Sequence, residues 1–190
     1  MEQQSITEEM QQNFFGKRFA GANISRCSMP RGLSVEKIIG WINNPTNFLI
    51  ITGPAGVGKT FFCSALVDKF YGRVQHMRAY DDRDLFSKVR NFIASNESGD
   101  YLDAMKQYVD DYLIILDDLG SSGHTKWREE ILTEFVDYRY ETMMPTVITS
   151  NLSKAEIYDT YGERIGSRMF ASENLMIDMS GMPDLRLQGK

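Results

Sequence analysis

Cysteine and histidine are scarce in this sequence and nowhere clustered. The two cysteines, Cys27 and Cys63, stand far apart with no C-x-x-C spacing. They read as reduced, small core residues and not as a redox pair. The two histidines, His76 and His124, have no companion ligand nearby, so a structural zinc site is not expected. Long apolar runs are also missing. YLIIL is typical of the longest, far short of the roughly 20 residues that a membrane-spanning helix needs. The opening MEQQSITEEM is acidic and polar, unlike a secretory leader. These absences predict a cytosolic protein with no membrane partner. Excess positive charge is absent as well. The formal net charge is −5, with no basic tail. Nucleic acid would therefore have to meet a local patch and not a basic whole. No internal repeat or low-complexity segment is visible.

What is present suits one globular domain with a sizeable core: 190 residues, 42% hydrophobic and 25% charged. Residues 1–32 read as a polar arm followed by an irregular segment with aromatic anchors Phe14, Phe15 and Phe19. LSVEKIIGWI has helical spacing and is ended by NPTN. NFLIIT is a buried strand. FFCSALVDKF sets Phe62, Leu66 and Phe70 on one helical face. VQHMRAY reads as a strand, DDRDLFSKVRNFIA as a helix, SNESGD as an exposed loop and YLDAMKQYV as a short helix. DYLIILDD is the continuous apolar strand of a sheet buried on both faces. KWREEILTEFVDYRYETM is a long helix, PTVITSN a strand, SKAEIYDTYG a helix, and NLMIDMS a last strand. Strands alternating with helices predict an α/β domain with a mostly parallel sheet.

Between the first strand and its helix lies GPAGVGKT, which fits G-x-x-x-x-G-K-[ST], the phosphate-binding loop. The predicted ligand-contacting stretch is Gly53, Pro54, Ala55, Gly56, Val57, Gly58, Lys59, Thr60 and Phe61. The glycines let the backbone N–H groups face inward, and the helix that follows adds its positive end. Lys59 supplies a point charge for the β- and γ-phosphates of ATP, and the Thr60 hydroxyl can ligate Mg²⁺.

Two further signals lie at strand ends. LIILDDLG puts Asp117 and Asp118 at the carboxyl end of a buried strand, where ligands of open α/β sheets bind. Asp117 can hold Mg²⁺ through its water shell; Asp118 is placed to polarise an attacking water. A turn cap is the plainer reading of two such acids. In VITSNLSKAEI, Ser153 and Glu156 form an S-x-x-E capping box that starts the next helix. Asn151 is then left without a structural task, and its amide can reach the γ-phosphate or the attacking water.

GPAGVGKT, LIILDDLG, PTVITSN and YGERIGSRMF occur in the order seen in AAA+ ATPases. The wording resembles the DnaC/IstB-like group, the bacterial and phage replicative helicase loaders and transposition helper ATPases. The resemblance covers roughly residues 14–187. It implies a P-loop NTPase three-layer sandwich, with a lid that is absent or vestigial because little chain follows Arg168. It makes Lys59 and Thr60 the Walker A residues, Asp117 the Mg²⁺-associated acid, and Asn151 sensor 1. Asp118 occupies a position often held by Glu and is shorter, which predicts slow hydrolysis to ADP. Arg168, and behind it Arg164, fall in the segment that carries the arginine finger. Residues 15–23 would lie near the adenine, dividing the chain into 1–32, an arm and adenine-proximal segment, and 33–190, the ATPase domain. Arg186 in MPDLR is a candidate nucleotide contact.

The resemblance further implies a nucleotide-dependent, head-to-tail homo-oligomer that holds single-stranded DNA and serves a replicative helicase, in a bacterial or phage-infected cytosol. Lys88, Arg90, Lys126 and Arg128 are candidate phosphate contacts; solvated helix faces would look the same. Trp127 and Tyr138 read as packing aromatics before base platforms. A transposition helper of the IstB kind, an ATP-switched binding module with little hydrolysis, and a small-molecule P-loop kinase remain as alternatives. About fifty residues before the loop and the lack of an Arg-rich lid argue against the kinase.

Overall fold

Continuous apolar strands demand cover on both faces, and the molecule supplies it. This computed structural model describes residues 2–74, 76–95, 106 and 108–187. Five strands, β1 (Phe48–Thr52), β2 (Met77–Asp81), β3 (Leu113–Leu119), β4 (Thr146–Ser150) and β5 (Leu175–Asp178), form one sheet in the order β2-β3-β4-β1-β5. All four pairings are parallel. The longer helices among the described residues are α1 (Glu2–Phe15), α2 (Val35–Asn43), α3 (Lys59–Phe70), α4 (Asp82–Ser95), α5 (Lys126–Glu141) and α6 (Lys154–Met169).

Alternation along each strand splits the core into two layers. Phe48, Ile50, Ile114, Leu116 and Ile148 face Leu85, Val89, Ile131, Phe135 and Ile165. Leu49, Ile51, Leu113, Ile115 and Val147 face Ile38, Trp41, Phe62, Leu66 and Phe70. Helices α4, α5 and α6 therefore cover one face and α2 and α3 the other, the three-layer sandwich that the family resemblance implies. Arg139, fully buried in α5, ties that helix to the start of the sheet. It donates to Thr146 Oγ1 at 2.8 Å and to the carbonyls of Val109 and Tyr112 at 2.9 and 3.1 Å. Burial lowers its guanidinium to about 10. Among the described residues no helix is long and apolar enough to cross a membrane.

The opening stretch differs from the polar arm expected of it. Residues 2–15 are helical and pack on the α2–α3 layer through Met10, Phe14 and Phe15. Its inward face is half polar: Thr7 and Gln11 are buried, and Thr7 Oγ1 donates back to Gln3 O at 2.9 Å. Two short 3-10 turns, Lys17–Phe19 and Ile24–Arg26, lead on to α2. The loop expected at SNESGD and most of the short helix expected at YLDAMKQYV lie outside the described residues; Lys106, Tyr108 and Val109 of that helix are described and are helical. The helix α6 begins with the predicted box, Ser153 N donating to Glu156 Oε2 at 2.8 Å and Glu156 N to Ser153 Oγ at 3.3 Å. It kinks at Gly162, whose φ is 81° and ψ 173°. YGERIGSRMF thus starts a second helical segment with its own direction.

Cys63 is buried and Cys27 half-buried, both as free thiols. Burial pushes the Cys27 thiol up to about 12 and that of Cys63 well above its usual value. Neither is a reactive thiolate at neutral pH.

Candidate active site

A cleft of about 510 Å³ opens at the carboxyl ends of β1, β3 and β4. The loop after β1 forms its floor. Gly56 and Gly58 have φ of 85° and 105°, conformations that disfavour any residue with a Cβ. Gly58 is the N-cap of α3, so the helix presents its unsatisfied N–H groups to the cleft. Val57 turns away into the core.

Lys59 is only 7% exposed. Its Nζ donates to Gly53 O at 2.6 Å, Pro54 O at 2.9 Å and Asn151 Oδ1 at 2.6 Å. Burial holds the ammonium below its ordinary range, against the opposing attraction of Asp118 and Asp117. Asn151 in turn donates from Nδ2 to Asp118 Oδ1 at 2.6 Å. A single amide therefore connects the loop lysine to the second acid.

Asp117 is 8% exposed. Thr60 Oγ1 donates to its Oδ2 at 2.8 Å and Thr149 Oγ1 to its Oδ1 at 2.6 Å. Burial still pushes its carboxyl above the ordinary range, against those two hydroxyl hydrogen bonds. A buried carboxylate and a neighbouring hydroxyl make a hard oxygen donor pair of the kind that suits Mg²⁺. Asp118 follows at a register break. β3 spends one more residue than β4 between the pairs Leu116–Ile148 and Leu119–Ser150, and Asp118 takes φ 61°. Such a bulge re-aims a side chain. Here it turns Asp118 toward Asn151, while Asp118 N donates to Thr149 Oγ1 at 2.9 Å.

Three contributors had weak signals or none. Thr149 lies inside β4 and reaches Asp117 across the β3–β4 pairing, a contact that the sequence does not single out. Asp184 and Leu185 had no signal. The turn after β5 lies against the phosphate loop, with Leu185 N donating to Gly56 O at 2.9 Å. A Cβ on Gly56 would overlap the Asp184 carboxylate. Arg186 pairs with Asp184 at 2.7 Å and lines the cleft, as do Arg18, Phe19 and Phe61.

Arg164 and Arg168 are not in this cleft. Both meet Asp137 of α5: Arg164 Nη2 reaches Oδ2, and Arg168 Nε lies 2.8 Å from Oδ1. The Arg164 side chain is 64% exposed and that of Arg168 26%, the reverse of the order in which the sequence ranks them. Among the cations expected to track phosphates, Lys88 pairs with Asp84 at 3.2 Å. Arg128 points inward, donating to Ser122 O at 3.2 Å and lying 4.9 Å from the Phe86 ring centre. Arg90 covers the Trp127 ring at 4.8 Å. Lys126 is exposed. Trp127 packs on the core, and Tyr138 Oη donates to Asp110 Oδ1 at 2.6 Å. The four do not form a stripe of unengaged charge.

Known proteins share this architecture. The crystal structure of the DnaC helicase loader matches with a TM-score of 0.67 at 24% identity, over 85% of this chain and 99% of that one. Replicative helicase loader DnaI of Bacillus subtilis strain 168 is 26% identical over 172 residues, 85% of this chain and 54% of DnaI. The protein y4pL of Sinorhizobium fredii, named for an insertion sequence ATP-binding role, is 31% identical over 168 residues, 83% of this chain and 64% of y4pL. The chain thus spans about half to two thirds of the length of these two relatives. Residues 24–170 match the profile of the IstB-like ATP binding proteins. A match of that extent makes the chain a member of this family, a DnaC/IstB-like AAA+ module.

Proposed function

We propose that the chain is an ATP-hydrolysing helicase loader, working as a nucleotide-dependent head-to-tail oligomer that holds single-stranded DNA. The observation that carries hydrolysis is the continuous link Lys59–Asn151–Asp118. A triphosphate seated on the loop N–H groups would draw Lys59 from the Gly53 and Pro54 carbonyls to its own β- and γ-oxygens. Asn151, released from Lys59, stays within reach of Asp118 and can orient the water that Asp118 polarises. Thr60 and Asp117 are the residues to hold Mg²⁺, which when bound neutralises charge on the β- and γ-phosphates. Phe19 and Phe61 offer apolar walls for a nucleobase, with Arg18 beside them.

The exposed Arg164 and its neighbour Arg168 would face the nucleotide of the next subunit and stabilise charge on the transferring phosphoryl group. A head-to-tail interface of this kind builds rings or open helices. Single-stranded DNA would be held by the assembly through contacts multiplied over copies, because one acidic chain offers few. The assignment to a loader is supported by the similarity to DnaI and DnaC. A transposition helper is the second reading, supported by the similarity to y4pL.

Purified replicative helicase and purified transposase from the same host separate the two readings. Co-elution with the helicase in the presence of ATP is the expected result, abolished by Lys59→Ala. Binding to the transposase alone would move the chain to the second reading.

A further inference from the structure

Gln11 is 1% exposed, and three of its hydrogen-bonding positions are filled. Nε2 donates to Ala22 O at 2.8 Å and to Ser64 O at 2.9 Å, and Oε1 accepts from Gly21 N at 2.7 Å. One α1 side chain thus binds the backbone of residues 21–22 to the backbone of α3, one turn beyond Thr60. Ser64 adds a second tie, its Oγ donating to Phe19 O at 2.9 Å. The segment so fixed carries Arg18 and Phe19, which line the cleft together with Phe61. Lys59, Thr60, Asp117 and Asn151 occupy the phosphate end, which leaves the aromatic end for the base and ribose. α1 and the residues up to 23 precede the stretch that matches the family profile.

We infer that Gln11 is a positioning residue for the nucleobase end of the cleft, and that α1 is part of the nucleotide site without touching nucleotide. The inference rests on the reading of this cleft as the ATP site. Affinity for a base depends on how well its walls are held before it arrives. Gln11 holds one wall against α3, the element that also carries the phosphate-binding residues. Its loss should therefore weaken the contribution of the base and leave that of the phosphates.

The test compares Mg²⁺-ATP with Mg²⁺-tripolyphosphate in calorimetric titrations of the full chain. Wild type should bind ATP more tightly. Gln11→Leu keeps side-chain volume and removes the three hydrogen bonds. It should lower ATP affinity about tenfold, the effect of one good hydrogen bond, with tripolyphosphate changed less than about twofold. Ser64→Ala, a small change that leaves α1 docked, should move the ratio the same way by about threefold. If Gln11→Leu fails to fold, Gln11→Met, a second near-isosteric change that removes the same three bonds, takes its place, and Ser64→Ala tests the same wall from the α3 side. An unchanged ratio in Ser64→Ala, or equal losses for both ligands, overturns the inference. Equal affinity of wild type for the two ligands overturns it too. Wild type that binds neither ligand overturns the cleft reading itself, a separate and recognisable outcome.

Discussion

Lys59 and Asn151, 92 positions apart in sequence, meet at 2.6 Å across the ends of two adjacent strands. The contact joins the phosphate loop to the end of β4, so in the proposed mechanism a displacement of Lys59 by phosphate would be transmitted to the amide that holds Asp118. Four expectations follow from this arrangement and its surroundings.

Asp118→Asn should keep ATP binding within about threefold and reduce phosphate release by about 100-fold or more, the usual scale for losing a positioned base. Titration with a fluorescent ATP analogue and a phosphate-release assay measure the two separately. Equal turnover in variant and wild type would remove Asp118 from the mechanism.

Asp117 gives a pH signature. Its carboxyl is raised above 3.8 in the folded protein, so the folded form binds more protons than the unfolded chain in the window just above that value. Stability falls as pH rises through the window, and the penalty is complete at neutral pH. Asp117→Asn should therefore melt a few degrees higher than wild type at pH 7 without nucleotide or Mg²⁺, and the gap should close toward pH 4. Scanning fluorimetry across that range reads both. A lower melting temperature at pH 7 would mean that the bonds from Thr60 and Thr149 outweigh burial.

Gly56→Ala combines a φ of 85° with overlap on the Asp184 carboxylate. About 1 kcal/mol of backbone strain is expected, together with displacement of the turn that carries Arg186. Melting temperature and ATP affinity should both drop. In an Asp184→Gly background the same substitution should cost less, because only the backbone strain remains. Additive effects of the two changes would dismiss the contact between turn and loop.

Arg168→Ala and Asp118→Asn should each be nearly inactive alone. In mixed oligomers some interfaces join an intact Asp118 to an intact Arg168 of another chain, and part of the ATPase activity should return. Arg164→Ala, at the more exposed position, belongs in the same series and should show whether one arginine or both act across the interface. No recovery in oligomers proven to be mixed would end the trans-acting assignment.

Where the candidate site is built from residues close in sequence, its position in the fold is legible in the sequence. The loop needs its glycines, lysine and hydroxyl within eight residues, and the acids must end an apolar strand; both patterns survive as text. The cap at Ser153 left Asn151 over, and the structure finds Asn151 between Lys59 and Asp118. The helix α1 was hidden because its buried positions include Thr7 and Gln11, polar residues that disguise the helical period of Ile6, Met10 and Phe14. Pairings between distant elements were also out of reach. Nothing in YGERIGSRMF indicates that its arginines share Asp137, 27 positions before Arg164. Nor does the spacing of Arg128 reveal that it turns inward over Phe86.

The shared Asp137 has an electrostatic consequence. One carboxylate faces two guanidinium groups, so these three groups taken by themselves leave one positive charge over, and Arg164 is mostly exposed. An anion supplied from outside the chain is the natural complement. In a head-to-tail array of the proposed kind, that complement would be the neighbour's triphosphate, and loss of a phosphate would weaken the attraction at that one junction. Each contact between copies would then be graded by the charge of the nucleotide it encloses, and an assembly could open at one spent junction while the others held.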